Sequence, residues 1–564
     1  MNAPVTDGDT GFIGVDMNFA DDTLPPGHVA YAENMRFSHG EARPRGGMSY
    51  NRAYSGKGAE FSWTFPVKFT DLAGVDAFGI SKFSNPNGRE YSVLLAKHEG
   101  WLVNEDYEPV RIYYPNNETI TAPCDVVQAH GSLYVFRGEG LDPWYWNGQS
   151  PYDFKKVTQE FNGVTVGDDY GQPMPKAAQA LYFNNRFFVP TGQDTLSISD
   201  IGAHNSFSVT NEFRVNHGEA DSIVALHPFG RNTILIFKND SIYALTNVFG
   251  DLSQMALELL TKEIGAVSKA SIVNVGSDVL FYSTRGIFSI GQIDNNRNVV
   301  TGEPMSRPIQ PLIDRVNWNR LSSIAASTFD NKIYWAVSLD NSTVNDAVLV
   351  YDQLTKKWAG MDTFAIPNFG IKGWFRATFM GQIRLMAHGT DGYVYMYEDN
   401  KLGHDTKWKT SGYQFTQKLL TRAYMAGSRM GKNWTNVRLQ VSTWHPSLKV
   451  DATTTGHKET LNLVTGLTRD PAKSTRFGSG PYTLNNSNGD LMDPYREDYY
   501  IDPSTSFYTT GGIELAKPQE AVFPFPCRQQ DKAIQFELEN SQGTLTLRGL
   551  EVVGHSHDSP KPST

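Results

Sequence analysis

A short turn followed by an apolar strand returns seven times in this chain, and this repeat limits its fold more than any other feature. It reads NGREYSVLL, AHGSLYVF, FNNRFFVP, FGRNTILIF, VGSDVLFYS, FDNKIYWAV and MGQIRLMA. The turns fall near Gly88, Gly131, Asn185, Arg231, Ser277, Asn331 and Gly381, at gaps of 43, 54, 46, 46, 54 and 50 residues. Near them, an alternating apolar strand, a polar turn and a second alternating strand follow one another in LLAKHEGWLV, LIFKNDSIYAL, LFYSTRGIFSI and LMAHGTDGYVYMY. Period-two alternation around a polar turn predicts a β-hairpin with one buried face. Asp391-Gly392 and Arg285-Gly286 supply turn residues that tolerate positive φ. A repeat of this length holds about four short strands and must stack on its neighbours to bury its faces. The expectation is an all-β chain with a β-propeller of about six to eight blades over residues 51–400. Sandwiches are the competing architecture, and the regular gap favours the propeller.

The rest of the chain is read by contrast. The hairpin marker stops after Tyr397, and residues 401–564 hold strand-like YQFTQKLLTRAYM, WTNVRLQVSTWH, AIQFELEN and TLTLRGLEVVG around a polar stretch, 466–520. This predicts a separate, sandwich-like C-terminal β domain with long loops, the loops being candidates for a tip or gate. Short helices are expected only near 28–36 and 308–320. Residues 1–50 read as an extended N-terminal arm, because Pro25-Pro26-Gly27 forbids a regular helix across its middle.

Aromatic residues at 12% and 50 glycines among 564 residues suit β structure with many turns. The net charge of −10 argues against a general basic nucleic-acid-binding surface. A protein that lets DNA slide past would also lack one, since each phosphate pairing tightens binding. Cys124 and Cys527 are too few for a disulfide framework, and two buried thiols are expected, although the sequence leaves their pairing open. MNAPVTDGDT lacks the basic and apolar regions of a secretory signal. No apolar run approaches the ~18 residues of a membrane helix.

No catalytic constellation stands out. The chain has no Gly-rich phosphate loop, HExxH, GxSxG or CxxC pair. His555 and His557 lie in a tail expected to be solvated and not a metal site. The carboxylate pairs Asp21-Asp22, Asp168-Asp169 and Glu497-Asp498 sit in turn-like contexts where solvation is the expected state, although glycosidases use opposed carboxylates. Trp144-Tyr145-Trp146 suits either a sugar platform or, more readily, packing between neighbouring sheets. The expectation is a protein that is not an enzyme and has no catalytic residues, cofactor or metal.

The N-terminal segment carries a family pattern. Gly14-Val15-Asp16, Leu24-Pro25-Pro26-Gly27, Ala32-Glu33-Asn34-Met35-Arg36-Phe37, Gly40 and Arg43-Pro44-Arg45-Gly46 together resemble the start of tail nozzle, or tail tubular, proteins of short-tailed bacteriophages. The likeness continues through ALYFNNRFFVP, LSISDIGAHNSF, IVALHPFGRNTILIFKNDSIYAL, LLTKEIGAVSKASIVNVGSDVLFYSTRGIFSI and VLVYDQLTKKWAGM, over roughly residues 11–360. It departs at His204-Asn205, where the family commonly has a proline, and it fades in the last 160 or so residues.

The resemblance implies a structural protein of the virion tail: a hexameric ring below the portal and adaptor, conducting double-stranded DNA and anchoring tail fibres or spikes. It gives the N-terminal arm a role in tying neighbouring subunits together, through Pro25, Pro26, Asn34, Arg36, Arg43 and Arg45, with the three arginines facing acidic surface on the neighbour. The alternative is an arm that covers one blade of its own chain. Two other functions compete with the nozzle: a plug or receptor-binding protein at the tail tip, and a carbohydrate-binding or glycoside-cleaving propeller.

Overall fold

The computed structural model describes residues 4–49, 51–56, 59–64, 78–104, 109–122, 124–157, 174–202, 206–276, 278–291, 303–379, 382–399, 405, 413–443, 448–454, 457–461, 521–541 and 545–556. The stretch 466–520, both acids of Asp168-Asp169 and of Glu497-Asp498, the Cys527 side chain and the tail from His557 fall outside them. The chain is all-β and built of many small sheets.

Among the described residues, seven antiparallel meanders follow one another in chain order. Sheets 1 to 4 have four strands each and begin at Phe78–Ser84, Asp125–Ala129, Leu181–Phe183 and Ile223–Phe229. Sheet 5 runs over Val273–Val275, Asp278–Ser283 and Gly286–Ser289. Sheet 6 begins at Ala325–Phe329 and ends at Lys357–Thr363, and sheet 7 begins at Ile371–Phe379. All seven turn-and-strand repeats coincide with the hairpin joining the first two strands of a sheet. Two of those turn residues, Ser277 and Gly381, are outside the described residues, but the strands flanking them pair at Val275↔Asp278 and Phe379↔Gln382.

The first strand of each sheet adjoins that of the next, with Lys269–Ser271 standing in at sheet 5, and the first strand of sheet 7 adjoins that of sheet 1. Polar side chains stitch these neighbours. Gln128 exchanges hydrogen bonds with the Ser84 backbone (3.1 and 2.7 Å), and Tyr182 Oη meets His130 Nε2 (2.9 Å). His227 Nε2 shares a bond with Asn274 (2.7 Å), and Trp374 Nε1 donates to the Ala325 carbonyl (3.2 Å).

The expectation of one buried face per hairpin needs correction. The second strands are buried on both sides, because each sheet is covered by its neighbour on either side. Phe187 and Val189 join a core shared with sheet 2, whereas Phe188 between them joins a core shared with sheet 4. In the same way, Leu235 and Phe237 face sheet 5, and Ile234 and Ile236 face sheet 3. The period-two pattern therefore sorts residues between two cores and not between core and water. Each such buried side chain contributes about 1.5–3 kcal/mol.

The N-terminal segment forms strands and not a free arm. These are β1 (Pro4–Asp9), β2 (Gly14–Val15), β3 (His28–Glu33), β4 (Met35–Ser38), β5 (Glu41–Pro44) and β6 (Gly47–Ser49). The helical turn expected near 28–36 is absent because β3 pairs with Gln417–Thr421, and Asn34, at φ 57°, breaks the chain between β3 and β4. β4 and β5 form a hairpin whose two turn residues, His39 and Gly40, both have positive φ. Around 308–320 the helix shrinks to Gln310–Ile313, flanked by 3₁₀ turns at Arg307–Ile309 and Trp318–Ser323.

The boundary expected at residue 400 is bridged. β2 and β3 lie between the last strand of sheet 6 and Gln417–Thr421, giving one ten-stranded sheet that runs on into Gln535–Asn540, Lys449–Thr454 and His457–Leu461. β1, β4 and β5 join a second sheet with Lys432–Thr443, Ala521–Asp531 and Thr546–Ser556. β6 is the fourth strand of sheet 7, paired at Met396↔Ser49. Gly360 (φ 100°) permits the close approach of β3 to sheet 6: a Cβ there would meet the Ala32 carbonyl oxygen at 2.2 Å.

Candidate functional site: the N-terminal joint

Three of the residues singled out in the sequence, Asn34, Arg36 and Arg45, converge where β3 to β6 meet sheets 6 and 7. Arg36, on β4, forks onto Asp362 of sheet 6 (Nη1 to Oδ1 2.8 Å, Nη2 to Oδ2 2.6 Å) and donates from Nε to Glu398 of sheet 7 (2.6 Å). Tyr397 Oη and Tyr334 Oη donate to the same two carboxylates (2.6 and 3.2 Å), and the Gly46 amide donates to Glu398 (2.9 Å). Burial opposes the charge on Arg36, but Asp362 and Glu398 outweigh it and hold the guanidinium protonated. Burial and the neighbouring carboxylates push both tyrosines well above their ordinary pKa, so they stay phenols and donors.

Arg45 makes a second fork, onto Asp405 (2.9 and 2.7 Å), and neither side chain has any exposure. Its Nε donates to Asn34 Oδ1 (2.9 Å), and its guanidinium lies 4.0 Å from the centre of the Phe415 ring. Asn34 reaches outward in turn, donating from Nδ2 to Thr363 Oγ1 (3.0 Å) and to the Thr416 carbonyl (2.7 Å). A third cluster anchors β1. Arg422 donates to Asp7 (2.7 Å) and Asp9 (3.1 Å), Tyr424 Oη donates to Asp9 (2.8 Å), and the Gly27 amide does the same (3.0 Å).

Asn34, Arg36 and Arg45, expected to tie neighbouring subunits together, are all buried and meet partners in their own chain. Arg43 is surface-exposed and pairs with Glu41 (2.9 Å), and Pro25 and Pro26 are exposed. Asp7, Asp9, Asp362, Glu398, Asp405, Arg422 and Tyr424 were not foreseen. The signal for two of them was an acid at the close of an apolar strand, as in KWAGMDT and VYMYED.

His28 sits at the edge of this joint, buried, with Nε2 3.1 Å from Lys357 Nζ. This contact needs a neutral ring that accepts from the ammonium. Burial, then the Lys357 charge, lower the imidazole pKa from 6.5, with Asp16 only partly opposing. A depressed imidazole contributes stability that is whole above the unfolded value and is lost as pH falls below it. Unfolding of the wild-type protein should therefore become easier as pH drops below about 6.5, and His28→Gln should flatten that slope. Denaturation midpoints between pH 7.5 and 5 decide this, and parallel slopes for the two proteins would reject it.

A different polar contact crosses the cycle of first strands. Lys269, beside sheet 5, donates to the Asp125 carboxylate of sheet 2 and to the Ala180 carbonyl next to sheet 3 (3.1 Å).

The other candidates from the sequence that fall among the described residues lie elsewhere. Trp144 and Trp146 are buried against Tyr114, Phe154 and Phe83 between sheets 1 and 2, so they do not form an exposed sugar platform. Asp22 pairs with Arg429 (3.1 Å), and the Asp21 backbone carbonyl accepts from Ala423 (2.9 Å). Cys124 is a free thiol, pushed up by burial. Among the described residues, no group of three or more His, Cys, Asp or Glu could hold a metal ion, and no helix is long and apolar enough to cross a membrane.

No family model matches the chain, and no curated protein matches it. Among solved structures it is similar to the computationally designed Ika8 protein (11% identity, TM-score 0.31, covering 65% of this chain and 96% of that one). It is also similar to a streptogramin B lyase (10%, TM-score 0.33, 57% and 96%) and to Raptor of Chaetomium thermophilum (12%, TM-score 0.36, 57% and 28%). At these scores, nothing about those proteins' activities is carried to this chain.

Proposed function

We propose that this chain is a seven-bladed β-propeller fused to a C-terminal β-sandwich, and that it serves as a structural subunit of a phage tail nozzle. The ring it builds is hexameric, sits below the portal and adaptor, conducts the genome and anchors fibres or spikes. Supporting the propeller are the seven meanders, the cyclic adjacency of their first strands and the completion of sheet 7 by β6. Such closure joins the two ends of the repeat through one sheet.

One observation carries the functional reading. The segment that resembles the nozzle family is also the segment that welds the propeller to the sandwich. Its Asn34, Arg36 and Arg45 hold sheets of the chain together, which suits a structural part. Exposed Pro25, Pro26 and Arg43 remain available to a neighbouring subunit, and a closed ring uses two different patches per subunit. The experiment is a micrograph reconstruction of the particle that contains this chain. Six copies around the tail axis beneath the portal are expected. A single copy at the tail tip, or a purified monomer that binds or cleaves glycans, would refute the nozzle.

A further inference from the structure

We infer that the surface around Arg186, where sheets 3 and 4 adjoin, is a binding site for an acidic side chain carried on an apolar peptide segment of a partner protein. Arg186 opens the second strand of sheet 3 and is 5% exposed. Its Nη1 is buried without a hydrogen-bond partner, and its Nη2 makes one long bond, 3.5 Å, to the Gly250 carbonyl. The other buried arginines among the described residues all meet carboxylates: Arg36 and Arg45 fork onto theirs, and Arg137 pairs with Glu118 (3.0 Å). A guanidinium taken out of water calls for such a fork.

The nearby acids do not provide it. Asp200 has its two oxygens engaged by Ser206 Oγ (2.7 Å) and Asn211 Nδ2 (2.8 Å). Asp251 is exposed to solvent. Burial lowers the Arg186 pKa, with Asp200 and Asp251 opposing from a distance.

Two anchored turns flank the arginine. One is held by the Gly202 amide on the Asn185 carbonyl (2.9 Å), the other by the Phe249 amide on Asn232 Oδ1 (3.0 Å). Each presents a large apolar side chain to solvent: Ile201 is 57% exposed and Phe249 64%. A cation lacking a counter-ion, set between two exposed apolar residues, is complementary to a carboxylate with apolar neighbours in sequence. This site stands apart from the N-terminal joint and from the nozzle reading, so either can fail alone.

The test uses the full chain and a capped leucyl-aspartyl-leucine peptide in calorimetric titration. The peptide should bind wild type at least about tenfold more tightly than its asparagine counterpart and than free acetate. Arg186→Gln should abolish binding without lowering the melting temperature, and Phe249→Ser should weaken binding while keeping the preference for aspartate. Equal binding of the two peptides, or no binding, overturns the proposal. Acetate binding as tightly as the peptide overturns the peptide as occupant. Arg186→Gln and Asp251→Asn both lowering the melting temperature would show that Arg186 pairs within its own chain, which also overturns it.

Discussion

Arg45→Ala should destabilise the protein by about 3–5 kcal/mol, because it leaves a fully buried carboxylate without its cation. Asp405 would keep the amides of Met48 (3.0 Å) and Ala365 (3.3 Å) but lose both charged donors of the fork. The loss would also release Asn34 Oδ1 from Arg45 Nε, loosening the link to Thr363 and Thr416. The double variant Arg45→Met, Asp405→Leu should recover part of the loss, since an apolar pair of similar volume carries no desolvation cost. Recovery should be incomplete, because the Met48 and Ala365 amides would then lose the Asp405 carboxylate as an acceptor. Urea midpoints followed by tryptophan fluorescence measure this. A single variant within about 0.5 kcal/mol of wild type, the range of an ordinary surface substitution, would contradict the joint.

Removing residues 1–49 should abolish soluble expression of the rest, and co-expressing residues 1–49 as a separate chain should restore a soluble complex. Deletion strips the fourth strand from sheet 7, the two strands between sheet 6 and Gln417–Thr421, and the partner of Thr546–Ser556. It also leaves Asp362, Glu398 and Asp405 buried without their arginines. An arm that merely clasps a neighbour would behave differently: the truncated chain would stay folded and fail only to assemble. Solubility, far-UV circular dichroism and size-exclusion chromatography separate the two cases. A truncated chain that folds and melts like the parent would sink the account of the joint.

The seven hairpins were legible because a turn and a strand are local: residues such as Asn184-Asn185 fix the bend, and the strand beside them is apolar. What the alternation meant was less legible, since Phe187 and Phe188 read alike in sequence although they pack against different neighbours. The N-terminal segment was misread for a related reason. HVAYAENM has no strong strand pattern of its own, and besides its local pairings its partners lie hundreds of residues away, at Met361 and from Lys418 to Thr421. Long-range pairing overrides local propensity there. The buried arginines looked like surface cations for the same reason. Nothing near Arg36 or Arg45 in sequence announces Asp362, Glu398 or Asp405.

The contact between Lys269 and Asp125 has a mechanical consequence. In the cycle of first strands, sheets 5 and 2 are three steps apart, so this ion pair ties together sheets that are not neighbours. In the proposed ring, the passage for the genome lies on the axis around which the copies are arranged, walled by the flanks and rims that each copy turns inward.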